Sequence, residues 1–197
     1  MRTVAIMLLF AIAACLPPAV ITANAENRPS SGAVNVAGVA MDKSATLEGF
    51  PADLAGAGLL RYRVNFKGYV AGLYLSRGQK ADDVFKDIPK RLLIEYFHAI
   101  PARGFVEATR QGLANNLSRE QLAAIQDRAD ALYALYRDVK PGDRYAVTYI
   151  PGVGSRLALN DKVLGTIGGL DFANAFLSIW LGPNPLDLEL KRALLGR

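Results

Sequence analysis

Read for alternation of apolar and polar positions, the chain resolves into strands in two groups, with helices between and after them. Residues 33–40 alternate well enough for a first strand and 45–48 for a short second one, while 50–56, with Pro51, read as a loop. Residues 61–65 and 69–75, rich in Leu, Val and Tyr, have the composition of strands in a largely buried sheet, joined near Phe66-Lys67-Gly68. A tight hairpin centred near Asn65 makes Arg61 and Tyr69 cross-strand neighbours; one bent strand leaves them on a common face but further apart. Residues 81–87 form a short surface helix, and 91–100 a strong strand ended by Pro101.

A helix follows over about 102–117. Ser118-Arg-Glu-Gln121 then has the capping-box pattern, a hydroxyl at the N-cap and a Gln three residues on. Behind it Leu122, Ile125, Ala129, Leu132, Leu135 and Tyr136 recur at spacings of three and four, a stripe that faces a core. Residues 144–150 alternate, with Tyr145, Val147 and Tyr149 on one face, and turns at Pro151-Gly-Val-Gly154 and Asn160-Asp161 separate strands at 155–159 and 162–167. Gly168-Gly169 precede a helix over 170–181, stopped by Gly182 and Pro183, and Pro185 opens a last helix over 186–195. Strands in two groups with intervening and trailing helices predict an α+β domain, a mostly antiparallel sheet with helices packed mainly on one face.

The first 25 residues have the pattern of an export signal: Arg2, an apolar run over 4–16, Pro17-Pro18, and Ala23-Asn24-Ala25 as a small-x-small cleavage site. That run is too short for a membrane span, and no other stretch approaches the roughly 18 apolar residues a spanning helix needs. The division expected is a signal peptide over 1–25, a flexible leader over 26–32 and a folded domain over 33–197, in a periplasmic product. Ile12-Ala-Ala-Cys15 resembles a lipoprotein box and leaves a lipid anchor at Cys15 as the alternative. Cys15 is the only cysteine, so cleavage after Ala25 excludes disulfides and thiolate chemistry from the mature protein.

Charge and histidine content narrow the chemistry. The net charge of +5 comes from scattered Lys and Arg, with no basic tract carrying interleaved aromatics, so nucleic acid is disfavoured as a partner. His98 is the single histidine, which excludes a multi-histidine metal site and disfavours a histidine triad; it reads as a strand-end residue. The glycine groups at 152–154 and 165–169 match neither phosphate-binding nor dinucleotide-binding spacing. Asp82-Asp83 and Asp171 read as helix starts. No cofactor is called for. The conspicuous residue is Arg61, a cation that cannot be neutralised, set in an apolar stretch: buried there, it needs an anionic partner from the protein or from a ligand.

Gly56-x-Gly-x-x-Arg61, followed by Tyr69-Val-Ala-Gly-Leu-Tyr-Leu75, resembles the chalcone isomerase-like family. So do Pro89-Lys-Arg-Leu-Leu-Ile-Glu-Tyr-Phe97, Tyr149-x-Pro-Gly-x-Gly154, Leu164-Gly-Thr-Ile167 and the run from Asp171 to Gly182. The likeness spans about residue 54 to the end and is strongest to the exported bacterial branch. It implies an open-faced β-sandwich, a large antiparallel sheet under a helical layer with a ligand cleft between. The family's plant enzymes cyclise chalcones; its fatty-acid binders hold a carboxylate on an arginine and a tyrosine. By resemblance, the candidate ligand-binding residues are Arg61, Tyr69, Tyr74 and Ser178. Tyr69 stands where the enzymes have threonine and the fatty-acid binders tyrosine. Leu122 stands near the enzymes' catalytic tyrosine, and Arg128-Ala129 near their asparagine. The reading that results is a non-catalytic binder of a fatty acid or similar apolar carboxylate. An isomerase acting on a chalcone-like enone, and an interaction domain without a ligand in which Arg61 pairs with Glu48, Glu95 or an Asp, are the alternatives.

Overall fold

The computed structural model describes residues 32–62 and 66–197. The expected signal, the leader up to residue 31 and Cys15 lie outside them. Seven strands form one antiparallel sheet in sequence order: β3 (Ser44–Leu47), β4 (Phe50–Tyr62), β5 (Phe66–Ser76), β6 (Lys90–Tyr96), β7 (Arg144–Ile150), β8 (Gly154–Leu159) and β9 (Lys162–Ile167). A separate hairpin of β1 (Ala33–Val36) and β2 (Val39–Asp42) precedes it, so the single strand expected over 33–40 is instead folded back at Ala37-Gly38. Both turn residues have positive φ, 53° and 98°, and Asn35 Oδ1 accepts the Gly38 amide. That is the backbone of a tight hairpin turn. Four helices complete the chain: α1 (Ala102–Asn116), α2 (Arg119–Leu135), α3 (Leu170–Leu181) and α4 (Leu188–Leu194).

The main core lies between one sheet face and the helices. On β6 the residues Lys90, Leu92, Ile94 and Tyr96 turn inward at every second position, and Tyr69, Leu73 and Leu75 do the same on β5. α3 is apolar nearly all round, with Phe172, Phe176, Leu177 and Trp180 all buried, because it is sandwiched between sheet and α1. The predicted capping box closes as drawn: the Ser118 hydroxyl accepts from the Gln121 amide and the Gln121 side chain accepts from the Ser118 amide. In the stripe of α2, Ile125, Ala129 and Leu132 are fully buried.

One expectation changes at β4. Residues 50–56 are strand rather than loop, since Pro51 sits near the strand's start, opposite Thr46. The glycines that follow serve helix docking. A Cβ at Gly58 would lie 2.7 Å from the Ala193 Cβ and 2.9 Å from a Leu190 methyl, so α4 rests directly on the strand backbone. Smaller differences follow from local capping. The expected 81–87 helix is a single 3₁₀ turn, Ala81–Asp83, and the last helix begins after Asp187, whose carboxylate accepts from the Leu190 amide, rather than at Pro185.

Candidate functional site

A cavity of about 250 Å³ lies between the inner sheet face and the helices. Its floor is Tyr69, Ile94, Tyr96, Tyr145 and Val147 from β5, β6 and β7, its roof Phe105, Ala108 and Thr109 from α1 with Phe176, Ile179 and Trp180 from α3. Gly112 makes the roof possible, because a Cβ there would lie 2.7 Å from an Ile179 methyl and would push α1 off α3. At the mouth, Asn116 and Asn184 exchange hydrogen bonds, Asn116 Nδ2 to the Asn184 carbonyl and the Asn184 amide to Asn116 Oδ1. These tie the end of α1 to the loop after α3, beside Gln111, Asn115 and Leu186.

The polar groups of the wall are hydroxyls and amides, and none of the described lining residues is charged. Trp180 Nε1 donates to the Tyr69 hydroxyl at 2.7 Å. Thr109 and Tyr136 share a hydrogen bond of 2.8 Å, and the Tyr145 hydroxyl accepts from the Arg137 amide and donates to its carbonyl. Tyr96 is 5% exposed, its ring packed edge-on to Tyr69, Phe105 and Tyr145. Burial raises the pKa of Tyr69, Tyr96 and Tyr136 well above the ordinary phenol value, so all three are neutral hydrogen-bond donors at any physiological pH. At Tyr69 the hydrogen bond from Trp180 opposes this shift and the Asp187 carboxylate adds to it.

Of the residues singled out from sequence, the structure brings only Tyr69 to the cavity. The hairpin forms, but Leu60 stands opposite Tyr69, and Arg61 pairs with Lys67 beyond a bulge that leaves Gly68 out of register. Leu60 packs into the main core. Arg61, one position on, is exposed and falls by alternation on the opposite face with Leu59. This corrects the expectation of a buried guanidinium: beside a like-charged Lys67, water is its favourable solvent. The acidic partners considered for it are engaged elsewhere, Glu48 with Arg156 at 2.5 Å and Glu95 with Arg144 at 2.6 Å. Tyr74 also faces away from the cavity, packed with Leu47, Ala52 and Ile150, and its pKa is pushed up to about 12, chiefly by burial. Ser178 is buried within α3, where its hydroxyl donates to the Ala175 carbonyl at 2.6 Å. Leu122 lies in a groove between α1 and α2 with Arg110 and Tyr133, apart from this cavity. Arg128 makes a bidentate pair with Asp171 that ties α2 to the start of α3. His98 stacks on Phe66 at 4.1 Å and contacts the Lys67 carbonyl, a strand-end role.

Sequence reasoning missed Tyr96, Tyr136, Tyr145 and Trp180 as wall residues. The available signal was the alternation Leu92-x-Ile94-x-Tyr96 in phase with Tyr145-x-Val147, which places all five on one sheet face.

A buried cation adjoins this region. Lys90, 1% exposed, borders a small pocket that shares Leu92 and Val147 with the main cavity. Its ammonium donates to the carbonyls of Val84 and Lys86, both at 2.7 Å, and to Asn174 Oδ1 at 3.2 Å, which uses all three protons. Burial pushes its pKa down to about 8, with Asp87 opposing.

The fold is shared with a solved structure, a fatty-acid binding protein of Arabidopsis thaliana. It superposes with a TM-score of 0.65 at 16% identity, over 80% of this chain and 92% of that one. No curated protein matches the chain by sequence. The chalcone isomerase-like family, by contrast, matches residues 33–196, which is the whole sheet with its helical layer, and the chain therefore belongs to that family.

Proposed function

We propose that this protein is a non-catalytic binder of a fatty acid or similar apolar, acyl-type molecule, held in the cavity between sheet and helices. The observation that carries this reading is the enclosed wall itself: aliphatic and aromatic on almost every side, with a few hydroxyls and a mouth of side-chain amides. The named activity of the Arabidopsis protein on the same fold supports it. The isomerase alternative loses support from the site, because the residue near the enzymes' catalytic tyrosine is Leu122, outside the cavity. The signal-like start of the chain supports an exported, periplasmic product.

Native mass spectrometry of the purified protein, followed by extraction, tests the reading. It predicts a co-purifying apolar molecule that is lost in Val147→Trp, which sets an indole on the cavity floor. Protein that carries nothing, and that takes up no added acyl compound, contradicts it.

A further inference from the structure

We propose that the cavity selects an apolar ligand whose head is a neutral hydrogen-bond acceptor, a carbonyl of the ester, aldehyde or un-ionised acid type, and that the Tyr96 hydroxyl donates to it. This deepens the binding function proposed above and rests on it.

Three observations converge. The first is an unspent donor. Among the described residues the Tyr96 hydroxyl has no hydrogen-bond partner, although the side chain is 95% buried and lines the cavity. A phenol that lines the cavity and is spent on no protein group is free to donate to a ligand acceptor there, for about the worth of one net hydrogen bond. The second is its neighbour. Tyr69 accepts from Trp180 and so keeps its own proton for donation, and its ring lies 5.7 Å from that of Tyr96. A second phenol proton is thus available on the same cavity wall. The third is the absence of compensating charge. No described lining residue is cationic, the Lys90 ammonium has no free proton, and Arg61 is exposed on the other face. The fixed charge felt at Tyr69 is the Asp187 carboxylate, which repels an anion. A carboxylate entering this cavity would lose its hydration without meeting a cation, whereas a carbonyl loses little and gains one or two hydrogen bonds.

The chain's single tryptophan, Trp180, lines the cavity and gives a fluorescence titration its reporter. The probes are methyl decanoate, decanoic acid and decane. The ester is expected to bind with the same Kd from about pH 5 to about pH 8, while the apparent affinity of the acid falls about tenfold for each pH unit above its own ionisation. Tyr96→Phe is expected to weaken the ester about five-fold, the worth of one net hydrogen bond, and to leave decane unchanged. Decane binding separates a lost hydrogen bond from a misfolded cavity. Ionised decanoate binding as tightly as the ester, or Tyr96→Phe leaving the ester unchanged while decane still binds, overturns the inference and leaves apolar binding standing. Failure of all three probes to bind removes the binding function and this inference together.

Discussion

The two faces of the seven-stranded sheet are built from the same strands, yet they sort their polar groups by opposite rules. The inner face, under α1 and α3, carries phenols and one lysine whose every proton is bound within the protein. The outer face carries Arg61 and Lys67, the pairs Arg144–Glu95 and Arg156–Glu48, and Arg91 donating to Thr148 at 2.8 Å. Charge is affordable where water can still reach it, and the β1–β2 hairpin covers only the patch around Met41, Val70 and Leu59. The period-2 geometry of a strand therefore decides chemistry: moving one residue along β4 exchanges Leu60 in the core for Arg61 in solvent.

This contrast is sharpest in stability. Phe172, 1% exposed and packed on the inner side, should cost about 3–5 kcal/mol on change to alanine, read from urea unfolding. A loss under about 1 kcal/mol would mean that the helical layer is loosely seated. Next is Lys90→Met, which orphans the Val84 and Lys86 carbonyls and should destabilise by about 1–3 kcal/mol near neutral pH. The pH dependence carries a sign. The folded Lys90 gives up its proton near pH 8, while the unfolded side chain holds it up to its ordinary 10.5, so unfolded protein binds more protons in that window and stability rises with pH through it. The buried tyrosines act in the opposite sense above about pH 10, where the unfolded chain loses phenol protons that the folded chain retains. Lys90→Met should flatten the rising limb and keep the alkaline fall; an unchanged rising limb would assign it to other groups.

Smaller effects probe the hydroxyls. Tyr69→Phe should cost about 1 kcal/mol because Trp180 Nε1 loses its acceptor. Tyr96→Phe should leave the unliganded protein as stable or slightly more so, since no partner is lost, and this opposite outcome for two adjacent tyrosines is the clearest mark of a group held in reserve. Least of all, Arg61→Ala should change stability and probe affinity by no more than about 0.5 kcal/mol. A large loss of affinity there would return the guanidinium to the ligand's head.

Much of the fold was legible because it rests on local rules. The helices at α1 and α3, the Ser118 capping box, and the strands after Gly142 follow from caps, stops and alternation within short windows. The site was legible in family and in Tyr69, but not in detail. A bulge at Gly68 is a one-residue event, and it decides whether an arginine eight positions before a tyrosine faces a cavity or the solvent. The spacing alone is compatible with either face. Likewise Gly56 closes what reads in sequence as a loop, and only the arrival of α4, more than a hundred residues later, shows why a side chain is excluded there and at Gly58. Tyr96 looks like sheet filling until its hydroxyl is seen to lack a partner.

A crystal structure with methyl decanoate bound tests the selection of a neutral head most directly. The predicted result is the acyl chain between α1, α3 and the inner sheet face, with its carbonyl oxygen about 2.7–2.8 Å from the Tyr96 hydroxyl. An ester seated with its carbonyl away from both Tyr96 and Tyr69, or bound on the outer face beside Arg61, would contradict it.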